Sequence, residues 1–487
     1  MKPLMIQGTS SSSGKTVLTA GLLRYFSLKG YDCAPFKSQN MSLNSIVTEE
    51  GYEIALSQAI QCEAAFKKPT PLINPILLKP SPDEKIHLIL NGRYYGNMNF
   101  KAYNMRKNFF LRKAKESFEE LSGKNDLIIL EGAGSPAEIN LFKFDIVNMG
   151  FAEQYDIRVI LVADIERGGA FASLFGTVRL LPLKWRRLIK GFIINKFRGD
   201  FSILSSGIKS IESRLGIPCI GILPFIKDLR IEAEDSLNFV SPGEGNEEKA
   251  PRSGVKIGIV KLEHIANFNE FDPLFLDGRF EVRFFGGFPE NINEFDMIII
   301  PGTKSTVPDL SSLKKSGLFD YINLFSKKGR GVLMGICGGF QMMGAEVRDP
   351  FRLESAEGVT PGFGFFDNFT VMEKEKRLAN RGYDFDFMGF KGVIKGYEIH
   401  NGKTFSASGE LLNQDFILSE DNKKIGTYMH GLFENELFRD FISGMLKGHS
   451  GYKNMRGYSE FKEKNYNLLS SKVGKHLNCA LIEELFL

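Results

Sequence analysis

Short, mainly apolar runs recur along this 487-residue chain, several of them followed closely by glycine or an acidic residue. Leu127-Ile128-Ile129-Leu130, Arg158 to Val162 and Gly191 to Ile194 mark the first half; Val255 to Val260, Met297 to Ile300 and Gly331 to Ile336 mark the second. Such short, mainly apolar runs predict buried strands, as in a parallel sheet flanked by helices. Between the two series, Ser241 to Gly254 is rich in Pro, Gly and charge and poor in apolar residues, which predicts a linker. The division expected is therefore 1–240, a linker over 241–254, a second domain over 255–448, and a polar extension over 449–487. The stretch from Leu468 to Leu487 predicts a packing helix within that extension, and no internal repeat is present.

Composition narrows the picture by exclusion. The chain holds 62 basic and 58 acidic residues, a net charge of +4, so it carries no nucleic-acid footprint and must meet any anionic ligand with local charge. The five cysteines, Cys33, Cys62, Cys219, Cys337 and Cys479, are scattered without CxxC spacing, against a disulfide framework or a zinc ribbon and in favour of a reducing cytoplasm. Met1 to Gln7 runs straight into a glycine-rich turn, which argues against a leader, and no apolar stretch is long enough to insert into a membrane.

Two segments carry chemistry. The first is Gly8-Thr9-Ser10-Ser11-Ser12-Ser13-Gly14-Lys15-Thr16, directly after a predicted strand over Leu4 to Gln7. A Gly/Ser-rich turn opening a helix aims backbone N–H groups at phosphates, with Lys15 supplying charge and the Thr16 hydroxyl available to Mg²⁺. Its spacing departs from the usual phosphate loop: five residues separate Gly8 from Gly14, and Thr9 takes the place of the first glycine. Lys37, after a predicted second strand, is placed to reach a transferred phosphoryl group. Glu131, in Leu130-Glu131-Gly132-Ala133-Gly134, is an acid at a strand's carboxyl end and suits Mg²⁺; Asp164 is similarly placed with less support.

The second segment is Gly335-Ile336-Cys337-Gly338-Gly339, a cysteine in a glycine frame between a strand-like run and Phe340 to Gly344. A nucleophile on a sharp strand-to-helix turn needs small neighbours, and the N–H of Gly338 would help hold an oxyanion. The helix N-terminus favours thiolate. His430, in Gly426-Thr427-Tyr428-Met429-His430-Gly431, is the expected base, with His400 as a rival or supporting group; Gly302, in Pro301 to Thr306, would give a second oxyanion N–H or only a tight turn. A chain with both segments is suited to forming an amide, ATP activating an acid and cysteine releasing ammonia from glutamine.

The order of these motifs resembles the cobyric acid synthase family, the glutamine-dependent amidotransferases of the cobalamin pathway, over nearly the whole chain. The most specific stretches are Gln39 to Ser45 and Ser135 to Leu141, with Asn195 to Asp200, Tyr397 to His400 and Tyr428 to Phe433 in support. The resemblance implies an α/β architecture, with an amino-terminal P-loop synthetase domain like dethiobiotin synthetase and a carboxyl-terminal class I-like glutamine amidotransferase domain. It implies ATP and Mg²⁺ at the first, with Gly8, Thr9, Gly14, Lys15 and Lys37 on the nucleotide and Thr16, Glu53 and Glu131 on the metal. It also implies Cys337 and His430 as catalytic pair, glutamine as nitrogen donor, and amidation of the b, d, e and g carboxylates of adenosylcobyrinic acid a,c-diamide, a corrinoid. Class I glutaminases place a Glu two residues after the catalytic His, where this chain has Leu432, so what orients His430 stays open. The alternatives are a cobyrinic acid a,c-diamide synthase and, in another class, a partitioning-type nucleotide-switch ATPase, which has no use for the Cys337 elbow.

Overall fold

In a computed structural model, residues 2–80, 85–227, 229–231, 254–328, 331–412, 416–447 and 457–487 are described. The linker expected over 241–254 lies, except for Gly254, outside them. The chain divides into two compact units, and neither is continuous in sequence: one comprises Met1–Ser42, Glu53–Glu234 and Glu460–Leu487, the other Leu43–Tyr52 and Asp235–Ser459.

The first unit is built on a six-stranded sheet in the order Cys219–Pro224, Ile189–Phe197, Arg158–Asp164, Leu4–Gly8, Leu127–Glu131, Cys33–Phe36. All its pairings are parallel, with Leu4 opposite both Arg158 and Ile129. The strand leading into the phosphate loop is thus central, and Leu4, Ile6, Ile129, Ile160 and Ile193 lie in one core beneath it. The same unit holds a four-stranded sheet of Gln39–Met41, Ile76–Pro80, Lys85–Leu90 and Arg93–Asn99.

The end of the chain belongs to this core and is not a separate extension. The helices Tyr458–His476 and Cys479–Glu484 place Val473, Leu477, Ile482 and Phe486 against Leu18, Leu22 and Phe26 of the helix Lys15–Leu28. Gly21 leaves room for Leu469 and Val473: a Cβ there would come within 2.8 Å of Val473. Arg24, fully buried, is held by Glu463 at 2.7 Å and lies 3.7 Å over the Phe66 ring. Burial sets Tyr466, Leu469, Ser470 and Val473 on one stripe of an otherwise polar helix, the spacing of an amphipathic face.

The second unit carries a sheet in the order Phe280–Phe285, Val255–Val260, Met297–Ile300, Val332–Ile336, Lys424–Thr427, Phe416–Leu418, parallel except for its last pair. Along Met297–Ile300, Met297 and Ile299 enter one core while Ile298 and Ile300 enter another, the two-sided burial that an unalternating apolar run demands. A long antiparallel hairpin, Asn368–Phe387 with Phe390–Ser406, forms a second sheet and pairs Tyr397 with His430.

Candidate active sites

In the first unit, the loop after Leu4–Gly8 is shaped by absent side chains. A Cβ on Gly8 would lie 2.2 Å from Ser13 Oγ, and Gly14, at φ 95°, would put one 2.1 Å from Asn195 Nδ2. Only glycine fits either place without strain. Asn195 Nδ2 donates to Ser13 O at 2.9 Å, and Lys196 Nζ donates to Ser12 O and to Asp164 Oδ2, each at 2.8 Å. Asp164 thereby fixes a lysine that braces the loop. The Thr9 N–H donates to Val162 O at 2.9 Å, so that amide extends the sheet and is not offered to a phosphate.

Glu131, completely buried, gathers the remaining groups. It accepts from Thr16 Oγ1 at 3.0 Å, from Lys37 Nζ at 2.9 Å and from Gln61 Nε2 at 2.5 Å. Lys15 Nζ donates to Ser10 O and to Gly134 O, both at 3.1 Å, which curls it back over the loop. A hydroxyl and a carboxylate at hydrogen-bonding distance beside a phosphate loop are the hard oxygen donors that Mg²⁺ takes, so Thr16 and Glu131 fit that ion. Glu53 is buried in an ion pair with Lys79 Nζ at 2.6 Å. Gln61 lies in no motif read from the sequence, and Asn195 and Lys196, within the stretch Asn195 to Asp200 that supports the resemblance, have their place at the loop only through the fold.

In the second unit, Cys337 sits between the strand Val332–Ile336 and the helix Gly338–Met343 with φ 52° and ψ −111°. A left-handed φ on a non-glycine residue costs about 1–3 kcal/mol. It is held there by its N–H donating to Thr427 O at 2.7 Å. The glycines expected around it are sterically required: a Cβ on Gly339 would strike Ile300 O at 2.0 Å, and one on Gly338 would come 2.6 Å from Thr303 Cγ2. Gly302 lies beside both partners, since its Cβ would meet His430 Cε1 at 2.7 Å and Cys337 Cβ at 3.7 Å.

His430 lies beside Cys337, both against Gly302, and the Cys337 thiol donates to Ile399 O at 3.6 Å. His430 Nδ1 is 3.2 Å from each carboxylate oxygen of Glu270, leaving Nε2 for the sulfur. Burial alone would push the imidazole's pKa down; the Glu270 carboxylate and the thiol beside it prevail and raise it to about 10. Cysteine, histidine and carboxylate thus form a connected triad, and Glu270 is the group that orients His430. It stands 160 residues before the histidine, in the short helix Phe268–Phe271, with no motif around it. His400 has the other role. Its Nδ1 is 2.7 Å from Gly402 O, its Nε2 3.3 Å from Glu398, and its ring stacks on Tyr428 at 3.8 Å. Burial pushes its pKa down against the pull of Glu398.

Two family models divide the chain between them: the CobQ/CobB/MinD/ParA nucleotide binding domain matches residues 4–239, and the CobB/CobQ-like glutamine amidotransferase domain matches 256–438. Cobyric acid synthase of Caldanaerobacter subterraneus subsp. tengcongensis is 42% identical over 99% of this chain and 98% of its own length. The probable cobyric acid synthase of Methanocaldococcus jannaschii is 42% identical over 98% of each. The chain belongs to the cobyric acid synthase family. As a cobyric acid synthase family member it is a glutamine-dependent ligase forming amides in cobalamin biosynthesis. The family match also removes the partitioning ATPase alternative, since likeness extends through the glutamine amidotransferase half. No helix among the described residues is long and apolar enough to cross a membrane.

Proposed function

We propose that this protein amidates the b, d, e and g carboxylates of adenosylcobyrinic acid a,c-diamide, using ATP for activation and glutamine for nitrogen. The observation that carries the nitrogen half is the strained Cys337 beside a His430 whose Nδ1 meets the Glu270 carboxylate. The Cys337 sulfur attacks the glutamine carboxamide carbon, and the oxyanion that forms is met by the amides of Gly338 and Gly302. His430 Nε2 gives its proton to the departing amide nitrogen, releasing ammonia and leaving a glutamyl thioester. Water, deprotonated by the same nitrogen, then frees glutamate. Glu270 keeps the imidazole oriented and supports its charged form throughout.

In the nucleotide half, Gly8, Gly14 and Lys15 frame the loop on which the ATP phosphates rest, and Lys37 is placed for the transferred group. The Thr9 side chain, 3.3 Å from Ser173 Oγ, serves the loop's packing on this reading. Thr16 and Glu131 would hold Mg²⁺, which when bound neutralises charge on the phosphates. The carboxylate takes the γ-phosphoryl group to give an acyl phosphate and ADP; ammonia attacks its carbonyl, and phosphate leaves with formation of the amide. Glu53 is assigned to the metal by family resemblance, and its pairing with Lys79 must loosen for that role.

The test is to incubate the protein with adenosylcobyrinic acid a,c-diamide, ATP, Mg²⁺ and glutamine and follow the corrinoid by mass spectrometry. Stepwise gain of four amide groups is expected. A protein that hydrolyses glutamine yet amidates only cobyrinic acid at its a and c positions would be an a,c-diamide synthase instead.

A further inference from the structure

The second unit contains ten residues, Leu43–Tyr52, that lie in sequence inside the nucleotide half. Two of their hydrogen bonds go to the turn that carries Glu270. Asn267, immediately before the helix Phe268–Phe271, adopts φ 53° and ψ 34°. That left-handed conformation is open to asparagine but is not its preferred state, so it needs support. Two bonds grip Asn267 from one side: its N–H donates to Asn44 Oδ1 at 2.9 Å, and its Oδ1 accepts from the Ser45 N–H at 3.0 Å. Asn44, Ser45 and Asn267 are all buried to within a few per cent. On the other side, the Ala266 N–H donates to Gly302 O at 3.0 Å. From this fixed turn Glu270 follows directly, its N–H donating to Asn267 O at 2.9 Å. The same segment has a second hold, since Asn380 Nδ2 donates to Val47 O at 2.8 Å. Asn380 is paired in register with Tyr397, whose ring stacks on His430 at 5.5 Å.

We propose that Asn44 and Ser45 are positioning residues for glutamine hydrolysis, clamping Asn267 so that the Glu270 carboxylate meets His430. The glutaminase triad is then complete only when a segment encoded within the nucleotide half is seated in the glutaminase unit. Neither residue touches glutamine or the reacting atoms; both act through Glu270. The alternative account of the same bonds is that they merely glue a loop down, in which case loosening them would lower stability without selecting one activity. The side chain of Asn44 offers an oxygen to a backbone N–H, so Asn44→Asp keeps the acceptor while Asn44→Ala removes it. Losing the clamp frees the turn by an ångström or more, and misplacement of that size at a catalytic group costs up to about a hundredfold in rate.

The inference rests on the Cys337, His430 and Glu270 reading above, and the experiment separates the two. Full-length wild type, Cys337→Ala, Asn44→Ala, Asn44→Asp, Asn267→Ala and the Asn44→Ala/Asn267→Ala pair are assayed for glutamine hydrolysis across pH and for amidation driven by ammonium. Glutamine hydrolysis by Cys337→Ala would overturn the reading itself, and this inference with it. With that control silent, Asn44→Ala and Asn267→Ala are each expected to lose about tenfold or more in kcat. Glutamine KM should stay near wild type, and the pH profile should move to lower pH as His430 loses its carboxylate. Ammonium-driven amidation is expected to stay within about twofold. Asn44→Asp should recover most of the lost kcat, and the double variant should be no worse than the worse single one, because both break one clamp. Wild-type kcat and an unmoved pH profile in Asn44→Ala would overturn the proposal. So would an equal loss of glutamine-driven and ammonium-driven amidation.

Discussion

Around Glu131 the charges of the nucleotide half are spent on one another: Lys37 and Thr16 bind its carboxylate, and Lys15 binds the loop's own carbonyls. Around Cys337 the groups are instead aimed, each along a chain that ends at the sulfur, with the nucleophile held in a left-handed backbone by its neighbours. The contrast follows from what each region is proposed to bind. A site for a highly charged ligand must stay folded without it, so its cations and anions pair internally and exchange partners when phosphate and metal arrive. The carboxamide attacked at the second site is uncharged, so the groups around the sulfur have no such charge to wait for and can be assembled and strained in advance. The first region should therefore tolerate loss of glutamine chemistry, and the second should tolerate loss of nucleotide chemistry.

The largest break expected is Cys337→Ala, which removes the nucleophile and should lower glutamine-driven amidation by about 10⁴-fold or more, while ammonium-driven amidation continues. Lys15→Ala should lower amidation by about 10²- to 10³-fold whichever nitrogen source is supplied, and leave glutamine hydrolysis measurable. Glu270→Gln sharpens the comparison inside the glutaminase site, with an expected loss of about 10²-fold in glutamine hydrolysis. It should also change the pH dependence of stability. The pKa of His430 is raised in the folded protein, to about 10, from about 6.5 when unfolded. Its stabilising contribution is therefore fully present below about pH 6.5 and is lost as the pH climbs toward 10. The Tm difference between wild type and Glu270→Gln should accordingly shrink over that interval; a difference that widens with pH would contradict the pairing. The smallest functional effect belongs to Leu469→Ala, which empties a place against Gly21 and should cost about 2–5 kcal/mol of stability while leaving both activities near wild type at permissive temperature.

The same contrast explains what the sequence made legible. Elements whose constraints are local could be read directly: the unalternating strands, the glycines at 8, 14, 338 and 339, and the placement of Cys337 at a strand-to-helix turn. Groups that act across the fold could not. Glu270 stands in Phe268-Asn269-Glu270-Phe271-Asp272 with no motif around it, and although Asn44, Asn195 and Lys196 lie in stretches that carry the resemblance, nothing there names their partners, the phosphate loop 182 and 184 residues away and Asn267 across 223. Periodicity does not encode such partners, because each is selected by tertiary geometry. The carboxyl-terminal helix is a different case. Its stripe of Tyr466, Leu469 and Val473 was present in the sequence, but polar residues on the remaining faces made the segment read as a polar extension with a packing helix over Leu468 to Leu487, with nothing to say that it packs in the first unit's core. His400, adjacent to the site yet committed to Gly402 and Glu398, shows that a histidine in a glycine frame need not be a base.

The most direct test of the division of labour is a nitrogen-source swap on two variants with the corrinoid diamide, ATP and Mg²⁺ held constant. Cys337→Ala should amidate with ammonium and not with glutamine, and Lys15→Ala should hydrolyse glutamine to glutamate while amidating with neither source. Glutamine-driven amidation by Cys337→Ala, or full ammonium-driven amidation by Lys15→Ala, would contradict the assignment of nitrogen release and acid activation to these two sites.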